Sequence, residues 1–159
     1  MKNQEFEQRI EKYLKRQFGI TIAAASKRQV YEALMSTVRE KLSEKKFAYE
    51  QELKKTKQKR AYYMSMEFLV GRTLRNNLFN LGIEKETKEY LEKNNFNLDE
   101  IYDIEPDPGL GNGGLGRLAS CYLDALTSSD YPVTGFSRRS PSSGKGLLMV
   151  RLRKIRSCL

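Results

Sequence analysis

The stretch Asp107-Pro108-Gly109-Leu110-Gly111-Asn112-Gly113-Gly114-Leu115-Gly116-Arg117 stands directly before an apolar run from Leu118 to Leu126. Four of the six residues from 111 to 116 are glycine. Glycine at this density is typical of backbone that takes positive φ or passes very close to another group. The apolar run predicts a helix, and a glycine turn that opens a helix presents N–H groups to an anion. The stretch therefore predicts either a phosphate-binding turn or a turn that permits tight packing.

Other chemistries find less support in the same residues. Gly109-x-Gly111-x-x-Gly114 and Gly111-x-Gly113-x-x-Gly116 both match the dinucleotide-binding fingerprint. That fingerprint needs a hydrophobic strand directly before it, whereas the polar segment 103–108 stands there. No Gly-Lys-Ser/Thr follows, which excludes a Walker A loop, and the chain has no histidine for a Ser-His-Asp or Cys-His arrangement. No cluster of metal ligands is visible, so we expect no metal.

Composition indicates one ordinary globular domain. The 159 residues are 39% hydrophobic and 31% charged, which allows a core and a solvated surface. No uncharged apolar run approaches the length of about 18 residues that suggests a membrane span, and the first residues do not resemble a signal peptide. Cys121 and Cys158 are not spaced as a metal or redox pair. We therefore expect a cytoplasmic protein with reduced thiols and no membrane partner.

The net charge of +9 is concentrated at the C-terminal end. Residues 137–159 contain seven basic side chains and no acidic one, which leaves 22 basic and 20 acidic groups in residues 1–136. The segment 137–159 therefore has the character of a nucleic-acid-binding or membrane-surface tail, or of an unstructured end. We expect an atypical, unstructured basic tail and no nucleic-acid partner.

Apolar spacing predicts helices in the first part of the chain. Residues 5–18 form an amphipathic helix that ends at Gly19. Ser26-Lys-Arg-Gln29 fits a capping box, and a second helix follows with its apolar stripe at every fourth residue. The charged segment 45–60 is interpreted as a solvated extension of this helix or as a linker.

The next part of the chain alternates between strands and helices. The apolar segment 61–70 is suited to a buried strand, in which Glu67 lies either at the strand's end in water or in a pocket. A short helix at 73–81 ends at Gly82, two further helices follow within 84–104, and 131–136 forms a short strand. The predicted fold class is therefore α/β, with a helical N-terminus followed by mixed strands and helices.

Two long blocks resemble one known family. Lys59-Arg-Ala-Tyr-Tyr-Met-Ser-Met-Glu-Phe-Leu-Val-Gly-Arg-Thr-Leu-Arg-Asn76 is similar to the N-terminal signature of the glycogen/starch/maltodextrin phosphorylases, the α-glucan phosphorylases. Gly109-Leu-Gly-Asn-Gly-Gly-Leu-Gly-Arg-Leu-Ala-Ser-Cys-Tyr-Leu-Asp-Ala-Leu126 resembles a second signature of this family. The resemblance covers about residues 20–136. It implies that residues 1–136 are an incomplete N-terminal part of a two-domain GT-B glucosyltransferase.

The resemblance also implies an activity. Members of the family cleave terminal α-1,4-glucosyl units with inorganic phosphate and release glucose 1-phosphate, with pyridoxal 5'-phosphate as cofactor and as homodimers. Carried over, Gly113 and Gly114 present N–H groups to the substrate phosphate. Asn112 and Leu115 shape the turn and contact the sugar, and Glu67 lies in the same cleft.

This chain departs from the family pattern in two ways. The family's cofactor lysine and catalytic His fall outside these 159 residues, so we expect no catalytic residue here and an inactive fragment. A non-catalytic glucan- or phosphate-binding module is the alternative. After Gly135-Phe136 the family's expected motifs are missing, and we interpret 137–159 as the product of a frameshift.

Overall fold

The computed structural model describes residues 2–56, 59–107, 113–129, 131–138 and 147–150. The chain divides into two compact units. The described residues of the first lie within Met1–Glu50 and Thr73–Pro106, and those of the second lie within Gln51–Arg72 and Asp107–Arg156. The helices and strands, in chain order, are α1 (Lys2–Phe18), a 3-10 turn (Ile22–Ala24), α2 (Lys27–Thr56), β1 (Ala61–Met64), α3 (Leu74–Leu81), α4 (Glu84–Lys93), α5 (Leu98–Ile104), α6 (Gly114–Ser128), β2 (Val133–Arg138) and β3 (Leu147–Val150). The described residues therefore have an α/β fold, with a helical N-terminal part and a small sheet.

The predicted helix ends of the first unit are confirmed. Helix α1 ends at Gly19, which has φ +70° and whose N–H donates to the Lys15 carbonyl at 3.0 Å. The capping box before α2 is present, because the Ser26 N–H donates to Gln29 Oε1 at 2.8 Å and the Gln29 N–H donates to Ser26 Oγ at 3.3 Å. The charged segment after residue 45 continues α2 as far as Thr56. It is a helix extension rather than a linker.

Helices α3 to α5 are bounded by the expected residues. Helix α3 ends at Gly82 in the left-handed region, and Asn95 takes φ +62° between α4 and α5. Glu105, only 5% exposed, caps the start of α3: its carboxylate accepts the backbone N–H of Thr73 at 2.8 Å and of Leu74 at 3.0 Å. A carboxylate at this position meets both the unpaired N–H groups and the positive end of the helix dipole.

Apolar residues from all five helices of the first unit form its core. At its centre are fully buried side chains from three of these helices, Leu34, Leu78 and Leu91. The wider buried cluster is Phe6, Ile10, Leu14, Ile22, Val30, Ala33, Leu34, Val38, Leu74, Leu78, Tyr90, Leu91, Leu98 and Ile101. The predicted stripe of α2 points into this cluster, so burial of that stripe stabilises the long helix.

The second unit is a small mixed sheet with one helix against it. Strand β1 pairs in parallel with β2, with Tyr63 opposite Gly135, and β2 pairs antiparallel with β3. Helix α6 contributes Ala119 and Leu123 to a buried cluster that also contains Phe68 and Val133. This cluster is the core of the second unit.

The predicted strand at 61–70 is wrong in length and in burial. Strand β1 ends at Met64, and the side chain of Met64 is 81% exposed. Ser65 Oγ donates to the Glu67 carbonyl at 2.8 Å and accepts the Glu67 N–H at 3.3 Å, which closes a local turn. Such side-chain hydrogen bonds compete with a sheet ladder, so the chain leaves the strand here. Only Phe68, beyond the turn, is fully packed.

Two further boundaries differ from expectation. Helix α6 begins at Gly114, four residues before the predicted run. Residues 137–138 belong to β2 and residues 147–150 form β3, so the expectation of an unstructured tail fails for these residues. The other residues of the tail lie outside the described part of the chain, and the domain boundary at 136 stays a prediction. None of the helices in the described part is long and apolar enough to cross a membrane.

Candidate functional site

The candidate site lies at the first turn of α6, in the second unit. Of the five predicted site residues, the structure describes Gly113, Gly114, Leu115 and Glu67, whereas Asn112 lies outside the described residues. Gly113 is the residue that precedes the helix, and Gly114 and Leu115 are its first two residues. None of the glycines described in this turn has positive φ. Close approach is therefore the reason for glycine at some of these positions.

The segment after β1 lies along this first turn. The Leu69 N–H donates to the Gly116 carbonyl at 3.0 Å, and Arg117 Nη1 donates to the Leu69 carbonyl at 3.3 Å. Arg117 thus has a structural contact with a carbonyl oxygen of the neighbouring segment. Farther along, Ser137 Oγ donates to the Met66 carbonyl at 3.1 Å and connects the same segment to β2. The turn formed by Ser65 directs this segment towards α6.

Glu67 extends its carboxylate to the start of α6. Its Oε2 accepts the Gly113 N–H at 3.3 Å, and the residue is half-buried beyond the end of β1. Glu67 was expected either at the end of a strand in water or in a pocket. It does lie beyond the end of the strand, but its carboxylate has a polar partner, as a residue in a pocket would need. A carboxylate here also interacts favourably with the positive end of the helix dipole. The structure thus brings Glu67 and Gly113 together, and their roles towards a substrate stay predictions.

Gly116 is a positioning residue that the sequence analysis did not include in the site. A Cβ atom at residue 116 would lie 3.0 Å from Glu67 Cβ and 3.2 Å from Leu69 Cγ, which is closer than ordinary side-chain packing. At Gly113 an added Cβ would lie 3.1 Å from Glu67 Oε2. The signal was the glycine density itself, which indicates close approach without identifying the partner.

Gly114 and Leu115 face outwards. A Cβ at Gly114 would meet nothing within 4 Å, and the Leu115 side chain is 75% exposed. Helix geometry provides no acceptor for the N–H groups of the first turn. The predicted anion contact would fall on the N–H groups of these two residues, beside the Glu67 carboxylate, and it stays a prediction.

The described residues do not form a Schiff-base site. A lysine that forms a Schiff base is normally held in a desolvated pocket, and none of the lysines with a described side chain is buried. Among the described residues there is also no group of three or more His, Cys, Asp and Glu side chains that could hold a metal ion. The groups that the described turn presents are the backbone N–H groups of a helix start next to one carboxylate.

Comparison with known proteins identifies the relatives of this sequence. The model of one family, described as Carbohydrate phosphorylase, matches residues 91–140, which include the whole glycine stretch. Residues 91–140 are thus similar to the carbohydrate phosphorylases. A glycogen phosphorylase of Chlamydia pneumoniae is 43% identical over 116 residues, which are 73% of this chain and 14% of that protein. A glycogen phosphorylase of Bacillus subtilis is 40% identical over 121 residues, which are 76% of this chain and 15% of that protein.

A phosphorylase from a plant extends the same comparison. Alpha-glucan phosphorylase 1 of Arabidopsis thaliana is 51% identical over 81 residues, which are 51% of this chain and 8% of that protein. The resemblance to the α-glucan phosphorylases is thus confirmed. The chain spans about one seventh of the length of the glycogen phosphorylases that it matches.

Proposed function

We propose that this chain carries one wall of the catalytic cleft of an α-1,4-glucan phosphorylase of the two-domain GT-B type. The reaction transfers a terminal glucosyl unit from the glucan to inorganic phosphate and releases glucose 1-phosphate. The observation that carries the proposal is the hydrogen bond from the Gly113 N–H to Glu67, because it joins the two signature blocks at one helix end. A cytoplasmic location and a homodimer of the complete enzyme belong to the same proposal.

Each site residue has one role in this proposal. The N–H groups of Gly113 and Gly114 face the substrate phosphate, and fixed donors of this kind stabilise charge without reorganising. Asn112 and Leu115 shape the turn and contact the sugar. Glu67 holds the turn through the Gly113 N–H, so that the remaining N–H groups keep their direction.

Pyridoxal 5'-phosphate is held by another part of the enzyme in this proposal. When bound, it supplies a phosphate group that exchanges a proton with the substrate phosphate. The residues of this chain bind and orient the phosphate and limit the access of water. The general acid–base chemistry lies outside them, so the isolated chain is expected to be inactive.

A chimera tests this proposal. Residues 20–136 replace the corresponding segment of the Bacillus subtilis relative, and glucose 1-phosphate formation is measured with maltodextrin and phosphate. We expect activity, and we expect Glu67→Ala in the chimera, which removes the acceptor of the Gly113 N–H, to lower kcat/KM for phosphate at least about tenfold, the effect of losing about 1.4 kcal/mol of transition-state stabilisation.

The matched control is Glu89→Ala, since Glu89 is an exposed glutamate on α4 in the first unit. Its kcat/KM should stay within about twofold of the unmodified chimera. A folded chimera without activity, or one in which Glu67→Ala has no effect, would contradict the proposal. The isolated chain should show neither pyridoxal absorbance nor glucose 1-phosphate formation.

The alternative is a non-catalytic glucan- or phosphate-binding module. The open space over Gly114 favours it, because the first-turn N–H groups need no further polypeptide to meet a small anion. Titration of the isolated chain with phosphate and with a maltodextrin distinguishes the two. Specific binding of either ligand, together with an inactive chimera, would favour the module.

A further inference from the structure

A single turn connects β1 to the segment that lies along α6. Glu67 stands in this turn, and its Oε2 accepts the Gly113 N–H at 3.3 Å, at the start of α6. A side chain reaches a fixed partner reliably only when the backbone that carries it is itself held in place. The groups that hold the backbone of Glu67 therefore decide where its carboxylate lies.

The peptide group before Glu67 is held at both of its polar atoms. Its carbonyl oxygen, which belongs to Met66, accepts a hydrogen bond from Ser137 Oγ at 3.1 Å. Its N–H, which belongs to Glu67, donates to Ser65 Oγ at 3.3 Å. Because a peptide group is planar, these two hydrogen bonds on its opposite sides fix the orientation of the whole plane.

The peptide group after Glu67 is held as well. Its carbonyl oxygen, that of Glu67, accepts a hydrogen bond from Ser65 Oγ at 2.8 Å. The backbone has only two soft dihedral angles per residue, and both are determined once the two flanking planes are fixed. The direction in which the Glu67 side chain leaves the backbone is therefore set by two serine hydroxyls.

Strand β2 anchors both serines. The Ser65 N–H donates to the Phe136 carbonyl at 3.0 Å, and Ser137 is the next residue of the strand. Ser137 is only 2% exposed, so its hydroxyl is shielded from water and its hydrogen bond is strengthened by the low local dielectric constant. None of the roles that the family resemblance implies falls on Ser65 or Ser137.

We propose that Ser65 and Ser137 are positioning residues for the phosphate site at the start of α6. The two serines hold both peptide groups of Glu67, Glu67 holds the Gly113 N–H, and the N–H groups that follow keep their direction towards the phosphate. Donors stabilise charge efficiently only while they are preorganised. The inference rests on the proposed function, because the bound phosphate is part of that function.

The NMR signal of the Gly113 amide proton tests this role in the full 159-residue chain. Its chemical shift depends on whether the N–H donates to the Glu67 carboxylate. Ser137→Ala should move the signal in the same direction as Glu67→Ala does, and Ser65→Ala, which removes two hydrogen bonds, should move it farther. In the Glu67→Ala background neither serine change should move the signal again, because residues that act through one another are not additive.

The matched control is Thr127→Val. This change also removes a buried hydroxyl from the second unit, since Thr127 Oγ1 donates to the Leu123 carbonyl at 2.6 Å on α6. The bond lies near the other end of the helix, so the Gly113 signal should stay where it is. Circular dichroism shows whether each variant is folded. If Ser137→Ala is misfolded, Ser65→Ala decides the test by the same criteria.

Kinetics test the consequence for phosphate. The chimera is extended from residue 136 to residue 138, so that it contains the whole of β2. Ser137→Ala should lower kcat/KM for phosphate about fivefold, the ratio that corresponds to about 1 kcal/mol, the typical net contribution of one hydrogen bond. The loss should appear as a higher KM for phosphate, whereas a loss of folded enzyme would lower only the apparent kcat.

The two readouts separate this inference from the proposed function. An unchanged Gly113 signal in folded Ser137→Ala, or an effect that persists in full in the Glu67→Ala background, would overturn the positioning role. An active chimera in which Ser137→Ala leaves KM for phosphate unchanged would also overturn it, and the proposed function would stand. An inactive chimera together with the expected Gly113 shifts would support the role of the serines in holding Glu67 and contradict the proposed function.

Discussion

Replacing Gly116 by alanine tests the packing on which the candidate site depends. The new methyl group would lie 3.0 Å from Glu67 Cβ and 3.2 Å from Leu69 Cγ. The Cβ atom of Glu67 moves only with its own backbone, which the hydrogen bond from Ser65 Oγ holds in place. The backbone of α6 or of the segment beside it must therefore shift.

The expected magnitude follows from two opposing effects. Overpacking of this kind costs about 1–3 kcal/mol, and exchanging glycine for alanine inside a helix returns about 0.5–1 kcal/mol. The net loss is about 1 kcal/mol. Gly114→Ala is the matched control, because its methyl group meets nothing within 4 Å and its φ is not positive. That variant should gain about 0.5 kcal/mol.

Hydrogen exchange of the α6 amides measures this difference locally, and urea unfolding followed by circular dichroism measures it globally. The two variants should differ by about 1.5 kcal/mol, which is about a tenfold difference in the opening equilibrium of α6. The reasoning would be refuted if Gly116→Ala were as stable as Gly114→Ala. Such a result would show that Glu67 and Leu69 do not require a glycine at residue 116.

Three further changes test the first unit. Glu105→Ala removes the acceptor at the start of α3 and should cost about 2 kcal/mol in urea unfolding, whereas Glu105→Gln keeps one oxygen and should cost less. Ser26→Ala removes the N-terminal cap of α2 and should cost about 1 kcal/mol, again by urea unfolding. Burial, and then the nearby Glu11 carboxylate, raise the pKa of Tyr90 above its usual value of about 10. The unfolded chain therefore loses this proton first, so stability should fall as pH rises above about 10, and Tyr90→Phe should fall less steeply in urea unfolding at alkaline pH.

A different result would contradict each of these three predictions. Equal stability of Glu105→Ala and Glu105→Gln would show that the carboxylate oxygens are not what holds the start of α3. An unchanged helix content and urea midpoint in Ser26→Ala would show that packing alone fixes the start of α2. Parallel alkaline profiles of Tyr90→Phe and the unmodified chain would show that Tyr90 ionises as easily in the folded protein as in the unfolded one.

Local signals predicted most of the helices correctly, because those signals involve residues close in sequence. Gly19 and Gly82 end helices through their own backbone conformation, and Ser26 caps α2 through a residue three positions away. The strand at 61–70 was overestimated, since its end depends on a side-chain turn at Ser65 rather than on apolar content. The early start of α6 was missed because glycine has low helix propensity, whereas contacts with Glu67 stabilise that start from 46 residues away.

The candidate site could be assembled only from the family resemblance and the tertiary structure together. Glycine density predicted an anion turn or close approach, and the structure shows close approach at Gly113 and Gly116 but open space at Gly114. The two interpretations therefore apply to different residues of one turn. Sequence spacing could not reveal this division, because it depends on where Glu67 lies.

The charges at this turn indicate how a phosphate would have to be bound. The N-terminal end of a helix contributes about half a positive charge. The Glu67 carboxylate beside the N-terminal end of α6 contributes a negative charge. Arg117, on the same turn, directs Nη1 to the Leu69 carbonyl. The described turn thus offers a phosphate little net positive charge, so we expect the isolated chain to bind phosphate weakly and the chimera, which supplies the rest of a phosphorylase, to bind it more tightly.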